Sequence, residues 1–95
     1  MISIKENPRV SVHFPVFNNE TNLVSSLESL LNQTYKNFEI VVGDDFSQDN
    51  CRQILERYQK KYPSVIKVIF NNQNIGMVEN FNNILKNCAG EYIVF

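Results

Sequence analysis

Two adjacent carboxylates, Asp44 and Asp45, sit in the stretch FEIVVGDDFSQD, residues Phe38 to Asp49. The run Phe38-Glu39-Ile40-Val41-Val42 is short, apolar and rich in β-branched residues, as a buried strand should be. Gly43 interrupts it, the acids follow, and a polar turn, Phe46 to Asp49, precedes a helical pattern. The acids therefore stand at the carboxyl end of a buried strand, where open parallel α/β sheets bind ligands. A carboxylate there can accept a hydrogen bond from a nucleobase N–H, and Phe17, at a neighbouring strand exit, offers a stacking surface. Side chains alternate along a strand, so the two acids should point in different directions. One can reach a ligand while the other caps a helix starting near Ser47. Taken alone, a turn-forming pair and a cap would account for the same residues, and that structural reading is the stronger.

Placing these residues requires the elements around them. Val10 to Val16 (VSVHFPV) reads as a strand, with Pro15 at its exit because proline cannot donate a ladder hydrogen bond. Phe17 to Glu20 is a loop, with Asn19 or Thr21 as a helix cap. Leu23, Val24, Leu27, Leu30 and Leu31 fall on one helical face. After the acidic turn, Cys51, Ile54, Leu55, Tyr58 and Tyr62 repeat that stripe until Pro63 stops it. Val65 to Phe70 is a third strand and Asn71 to Gly76 a polar turn. Met77, Phe81, Ile84, Leu85 and Cys88 mark a third helix, with Gly90 as its C′ residue. Glu91 to Phe95 opens a fourth strand, and Met1 to Pro8 is a polar lead.

The order β-α-β-α-β-α-β, with strands about 30 residues apart, is that of βαβ units. Right-handed crossovers then require a three-layer α/β domain with a mostly parallel, Rossmann-like sheet. A chain of 95 residues fits one small domain. It ends within an apolar strand, so residues 1–95 read as a truncated domain continuing downstream.

Composition excludes several classes. Net charge is -1 with no basic block, so binding to a nucleic-acid backbone has no electrostatic support. Cys51 and Cys88 are too few and too distant for a disulfide scaffold or a zinc site. They read as buried, reduced packing residues, which fits the cytoplasm. No apolar run is long enough to span a membrane. The first-strand turn PVFNNE has no glycine, which removes the dinucleotide fingerprint and the phosphate loop. The only histidine, His13, lies inside a strand, so no Ser/His/Asp set exists, and it reads as a core residue.

The strings VSVHFPVFNNE, LESLLNQTYKNFEIVVGDDFSQDN and NIGMVENFNNILKNCAGEYIVF resemble the opening half of the family 2 glycosyltransferases, GT-A-fold enzymes that use nucleotide-diphosphate sugars. The resemblance runs from about Arg9 to Phe95 and implies a truncated GT-A domain whose fourth strand lies beside the first. It implies that Pro15, Val16 and Phe17 line the nucleobase and ribose pocket, with Glu20 as a nearby acid. Asp45 would contact the base and Asp44 would shape the pocket. Asn74 and Gly76 would flank the sugar-diphosphate side. Phe81-Asn82 stands where many members carry Arg-Asn, which removes a phosphate-binding cation.

The resemblance further implies a divalent metal, manganese or magnesium, whose ligands would follow Phe95, as would the catalytic base. No catalytic or metal-binding residue is therefore assigned within this chain, which should be inactive alone. The implied enzyme moves a sugar from a nucleotide donor, UDP favoured, to a saccharide or lipid acceptor. Its expected location is cytoplasmic, with the membrane surface as an alternative for the full-length protein. A non-catalytic nucleotide-binding or assembly module is the rival reading. The open outer edge of the fourth strand would favour self-association.

Overall fold

A computed structural model describes residues 8–95, so most of the polar lead lies outside the described residues. The elements are β1 (Val10–Val16), α1 (Glu20–Leu31), β2 (Phe38–Asp44), α2 (Cys51–Lys61), β3 (Ile66–Phe70), α3 (Met77–Lys86) and β4 (Tyr92–Val94). All strands are parallel, in the order β3-β2-β1-β4. The first two crossovers run one way along the sheet and the third runs back across it. Right-handed connections therefore place α1 and α2 on one face and α3 on the other. The direction reverses at β1, and the carboxyl ends beside such a switch point form a crevice.

β2 is buried along its whole length because both faces are covered. Its alternation sorts the two interiors. Phe38, Ile40 and Val42 join Leu23, Leu27, Cys51, Leu55 and Ile66 in an apolar core beneath α1 and α2. Each large aliphatic buried there contributes about 2 kcal/mol by leaving water. Glu39, Val41, Gly43 and then Asp45 project to the α3 side. That interior is more polar and includes the buried Ser11, His13 and Asn80.

Gly43 is required by close approach. A Cβ there would lie 2.6 Å from Ile84 Cγ1 and 2.7 Å from Asn80 Oδ1. Gly90 has a similar role, since a Cβ would meet the Ser11 backbone nitrogen at 2.7 Å. This corrects its expected place as the C′ residue of α3, whose cap is Asn87. The apolar stripe assigned to α3 is corrected too. Its buried residues are Asn80 and Ile84, whereas Met77 is 84% exposed. Cys51 is fully buried, but Cys88 lies beyond α3 and is only half-buried. His13 is a core histidine, with Nε2 3.0 Å from the Phe81 carbonyl and its ring against those of Phe81 and Phe95, which stack on each other.

Candidate active site

At the carboxyl ends of the strands, a cavity of about 410 Å³ is lined by Pro15, Val16, Phe17, Asp45, Asn74, Gly76, Met77 and Asn80. Six of these belong to the set read from the sequence, contributed by the β1 exit, the β2 exit and the β3–α3 turn. Met77 and Asn80 join them. Asn80 had a signal available, because a polar side chain one turn before the buried Ile84 shares its face toward the sheet.

Asp45 organises the wall. Its backbone N–H donates to the Val16 carbonyl at 2.9 Å, continuing the pairing of β2 with β1. Its Oδ1 accepts from Ile75 N–H at 2.8 Å and from Asn71 Nδ2 at 3.1 Å, and its Oδ2 accepts from Gly76 N–H at 3.0 Å. Asn74 Nδ2 donates to the Asp45 carbonyl at 3.3 Å. The acid thus holds the whole β3–α3 turn against the β2 exit. Asn71 Nδ2 also donates to Asn80 Oδ1 at 3.0 Å, and Asn80 Nδ2 donates to the Gly43 carbonyl at 3.1 Å. These amides are buried and bonded, so the cavity floor is rigid. Gly76, with φ of 90°, supplies backbone that other residues adopt only under strain.

Asp44 turns the other way, as alternation requires. It is buried outside the cavity lining, where its carboxylate accepts from Ser47 Oγ at 2.5 Å and from Ser47 N–H at 3.4 Å. The helix it was expected to cap begins later, at Cys51. There Asp49 Oδ1 accepts from Cys51 N–H at 3.0 Å. Burial opposes the Asp49 charge, but hydrogen bonds from Cys51 and Glu20 N–H outweigh it and lower its pKa. Burial pushes the Cys51 thiol up to about 11, so it is a packing residue rather than a nucleophile.

Glu20 also lies outside the cavity lining. Its carboxylate accepts from Asn50 N–H at 3.3 Å and from Asn50 Nδ2 at 3.2 Å. Asn18 N–H donates to Ser47 Oγ at 3.0 Å, and Gln48 N–H donates to Asn18 Oδ1 at 2.7 Å. Asp44 and Glu20 therefore act on the cavity indirectly, by fixing the loops after β1 and β2 to each other. Among the described residues, no group of three or more His, Cys, Asp or Glu is arranged to hold a metal ion.

Comparison with known proteins identifies the family. The model of "Glycosyl transferase family 2" matches residues 11–95. The putative glycosyltransferase EpsE of Bacillus subtilis (strain 168) is 37% identical over 90 residues, covering 95% of this chain and 32% of that protein. A Campylobacter jejuni GalNAc(5)-diNAcBac-PP-undecaprenol beta-1,3-glucosyltransferase is 33% identical over 88 residues, 93% of this chain and 28% of its own. S. aureus TarS 1-349, solved in complex with UDP-GlcNAc, superposes with a TM-score of 0.82 at 36% identity, covering 92% of this chain and 25% of that one. The chain thus spans about a quarter to a third of these relatives. Sequence and fold agree, and the chain belongs to glycosyl transferase family 2.

Proposed function

We propose that residues 1–95 form the donor-nucleotide-binding part of a GT-A glycosyltransferase domain that moves a sugar from a UDP-sugar to a hydroxyl of a saccharide or lipid. The observation behind this reading is the Asp45 carboxylate in the cavity wall. An ionised carboxylate has about four acceptor positions. The hydrogen bonds from Asn71, Ile75 and Gly76 take three, leaving one on Oδ2. The ring N–H on the pairing edge of uracil can donate to this acceptor, as can the cytosine amino group or the guanine ring N–H, so the choice of UDP rests on the relatives' donors. Phe17, half-exposed in the lining, offers an aromatic face for the base. The TarS structures with UDP-GlcNAc and with UDP support the same donor class.

In the reaction, the bond from the sugar's anomeric carbon to the diphosphate oxygen breaks and a bond to the acceptor oxygen forms. The acceptor proton passes to a base. This chain's residues bind and orient the nucleotide: Asp45 and Phe17 hold the base, and the Asn74–Gly76 turn borders the diphosphate. A divalent metal would neutralise the departing diphosphate, but the described residues do not form a site for one. Neither its ligands nor the base is assigned here, so the chain alone should show negligible transferase activity. The full-length enzyme would act in the cytoplasm, with the membrane surface as the alternative. No helix among the described residues is long and apolar enough to cross a membrane.

A thermal-shift panel of UDP, GDP, CDP and TDP, with and without manganese, tests the reading. UDP should give a larger upward shift than CDP or GDP. A larger shift with CDP would remove the uracil preference, and no shift with any nucleotide would remove the nucleotide site. Sugar transfer by this chain alone from any nucleotide donor would contradict the assignment of the chemistry elsewhere.

A further inference from the structure

The side chains of Asn71, at the exit of β3, and Asn80, in the first turn of α3, are both buried. Together they carry a directed chain of hydrogen bonds from one point of β2 to the acid at its exit. The Gly43 carbonyl can only accept, so Asn80 must present Nδ2 to it, at 3.1 Å. That leaves Asn80 Oδ1 facing Asn71, which must in turn present Nδ2, at 3.0 Å. The second hydrogen of the Asn71 amide then goes to Asp45 Oδ1, at 3.1 Å. A backbone carbonyl thus sets the direction of every bond down to the carboxylate. Neither amide can be turned over without bringing like groups face to face.

Holding the β3–α3 turn does not require this chain to reach Asp45. Ile75 and Gly76 N–H already fix the turn to the acid, and Asn71 N–H fixes its start to the Asp44 carbonyl at 3.0 Å. What the Asn71 side chain adds falls on the carboxylate itself. With Ile75 it fills both acceptor positions of Oδ1, while Gly76 takes one of those on Oδ2. A carboxylate gripped on both oxygens cannot rotate about its Cβ–Cγ bond without breaking these bonds, so the acceptor left on Oδ2 stays in one place. Asp45 lines the cavity and Asn71 does not, so Asn71 acts from behind the wall.

We propose that Asn71 is a positioning residue for the donor nucleotide: its side-chain amide, oriented by Asn80 and the Gly43 carbonyl, fixes the Asp45 carboxylate so that the remaining acceptor meets the base in a single orientation. This rests on the nucleotide reading above. Such preorganisation moves the cost of ordering from binding to folding, so its loss appears in the nucleotide Kd of the folded chain.

The test is titration of the wild-type, N71S and N71D chains with UDP, followed by NMR from about pH 5 to about pH 8, with a thermal melt of each. N71S removes the amide without adding charge and should weaken UDP binding about fivefold at every pH, the effect of one lost hydrogen bond. N71D puts a carboxylate oxygen opposite Asp45 Oδ1 where a donor stood. Near pH 8 the two acids are ionised and repel, and UDP should bind about tenfold more weakly than to wild type. Toward pH 5 the pair takes up one proton, which can bridge the two carboxylates as the amide hydrogen did, and the ratio to wild type should fall to about threefold. The titratable groups on the packed elements are Asp44, turned to Ser47, His13, at the Phe81 carbonyl, exposed Glu79, and the Glu39–Lys67 pair. They and the UDP phosphates are common to both chains, so the ratio removes them. A UDP Kd for N71S within about twofold of wild type would overturn the role of Asn71 and leave the nucleotide site standing, whatever the melts show. An N71D-to-wild-type ratio that does not change with pH would do the same. If N71D does not fold near pH 8, the N71S result decides alone. No UDP binding by the wild-type chain up to roughly 5 mM would overturn the nucleotide reading and the role of Asn71 with it.

Discussion

Glu39 and Asp45 project from the same face of β2, one near each end, and both are almost fully buried. Glu39 Oε2 accepts from Ser11 Oγ and from Ala89 N–H, each at 2.6 Å, and its Oε1 lies 3.5 Å from Lys67 Nζ. Asp45 is held by backbone and amide donors alone, and among the described residues no salt bridge involves it. The Glu39 charge is met by a cation and lines none of the described cavities, whereas the Asp45 charge is met only by dipoles and faces a cavity. Several hydrogen bonds to a buried carboxylate therefore do not by themselves mark it as purely structural. What sets Asp45 apart from Glu39 is uncompensated charge beside open volume. Glu39 fastens the α3–β4 turn to the sheet; Asp45 fastens the β3–α3 turn and, in the proposed function, offers its remaining acceptor to the base.

Removing each acid sharpens the comparison. Glu39→Leu leaves the Ser11 hydroxyl, the Ala89 amide and Lys67 without their acceptor. It should destabilise the chain by about 3 kcal/mol in chemical denaturation. UDP affinity of the fraction still folded should be unchanged, and a matching loss of affinity would dissolve the distinction between the two ends. Gly43→Ala, between the two acids, should cost about 2 kcal/mol because Ile84 and Asn80 leave no room for a methyl group. By displacing Asn80 it should also weaken UDP binding. Normal binding in that variant would show that the floor can shift without harm. Asp45→Ala should cost about 2 kcal/mol, since the Ile75 and Gly76 amides lose their acceptor in a part-buried turn while Asn71 keeps its bond to Asn80. It should also abolish the UDP-induced thermal shift, reversing the Glu39→Leu pattern.

The smallest effect concerns a third carboxylate, Glu28, far from both ends. The Tyr58 hydroxyl donates to Glu28 Oε2 at 2.6 Å, and this bond, then burial, pushes the tyrosine pKa up to about 12. The folded state favours the neutral phenol, so this stabilisation is complete below the unfolded pKa of about 10. It is lost as pH rises toward 12. Tyr58→Phe should be somewhat less stable at pH 8 and should lose less stability than wild type between pH 10 and 12, read from melting temperatures. Parallel loss in both proteins would remove the bond's contribution.

Much of this was legible in the sequence. Strand–helix alternation and right-handed crossovers gave the layers, because both depend on periodicity and chirality that single residues report. The place of β4 beside β1 came from family resemblance, since periodicity does not encode strand order. Phe17, Asp45, Asn74 and Gly76 stood out at strand exits, where ligand sites gather, and the resemblance added Pro15 and Val16; the structure brings all six to one cavity. Asn80 was missed because apolar residues were counted for the stripe of α3, while its buried face includes a polar residue that bonds to Gly43 and Asn71. The hold of Asp45 on the β3–α3 turn was invisible because its main donors are backbone amides about 30 residues away, and a backbone amide leaves no mark in a sequence.

The stitching of the loops after β1 and β2 also bears on the cost of recognition. Asn18 with Ser47 and Gln48, Glu20 with Asn50, and Glu20 N–H with Asp49 Oδ2 bind two exposed segments into one unit before any ligand arrives. A ligand entering such a mouth has little loop entropy left to quench, so more of its contact energy appears as affinity. The amide protons of Asn18, Glu20, Gln48 and Asn50 would then exchange with solvent as a cooperative group. Their protection would be set by opening of the whole mouth rather than by the exposure of each residue.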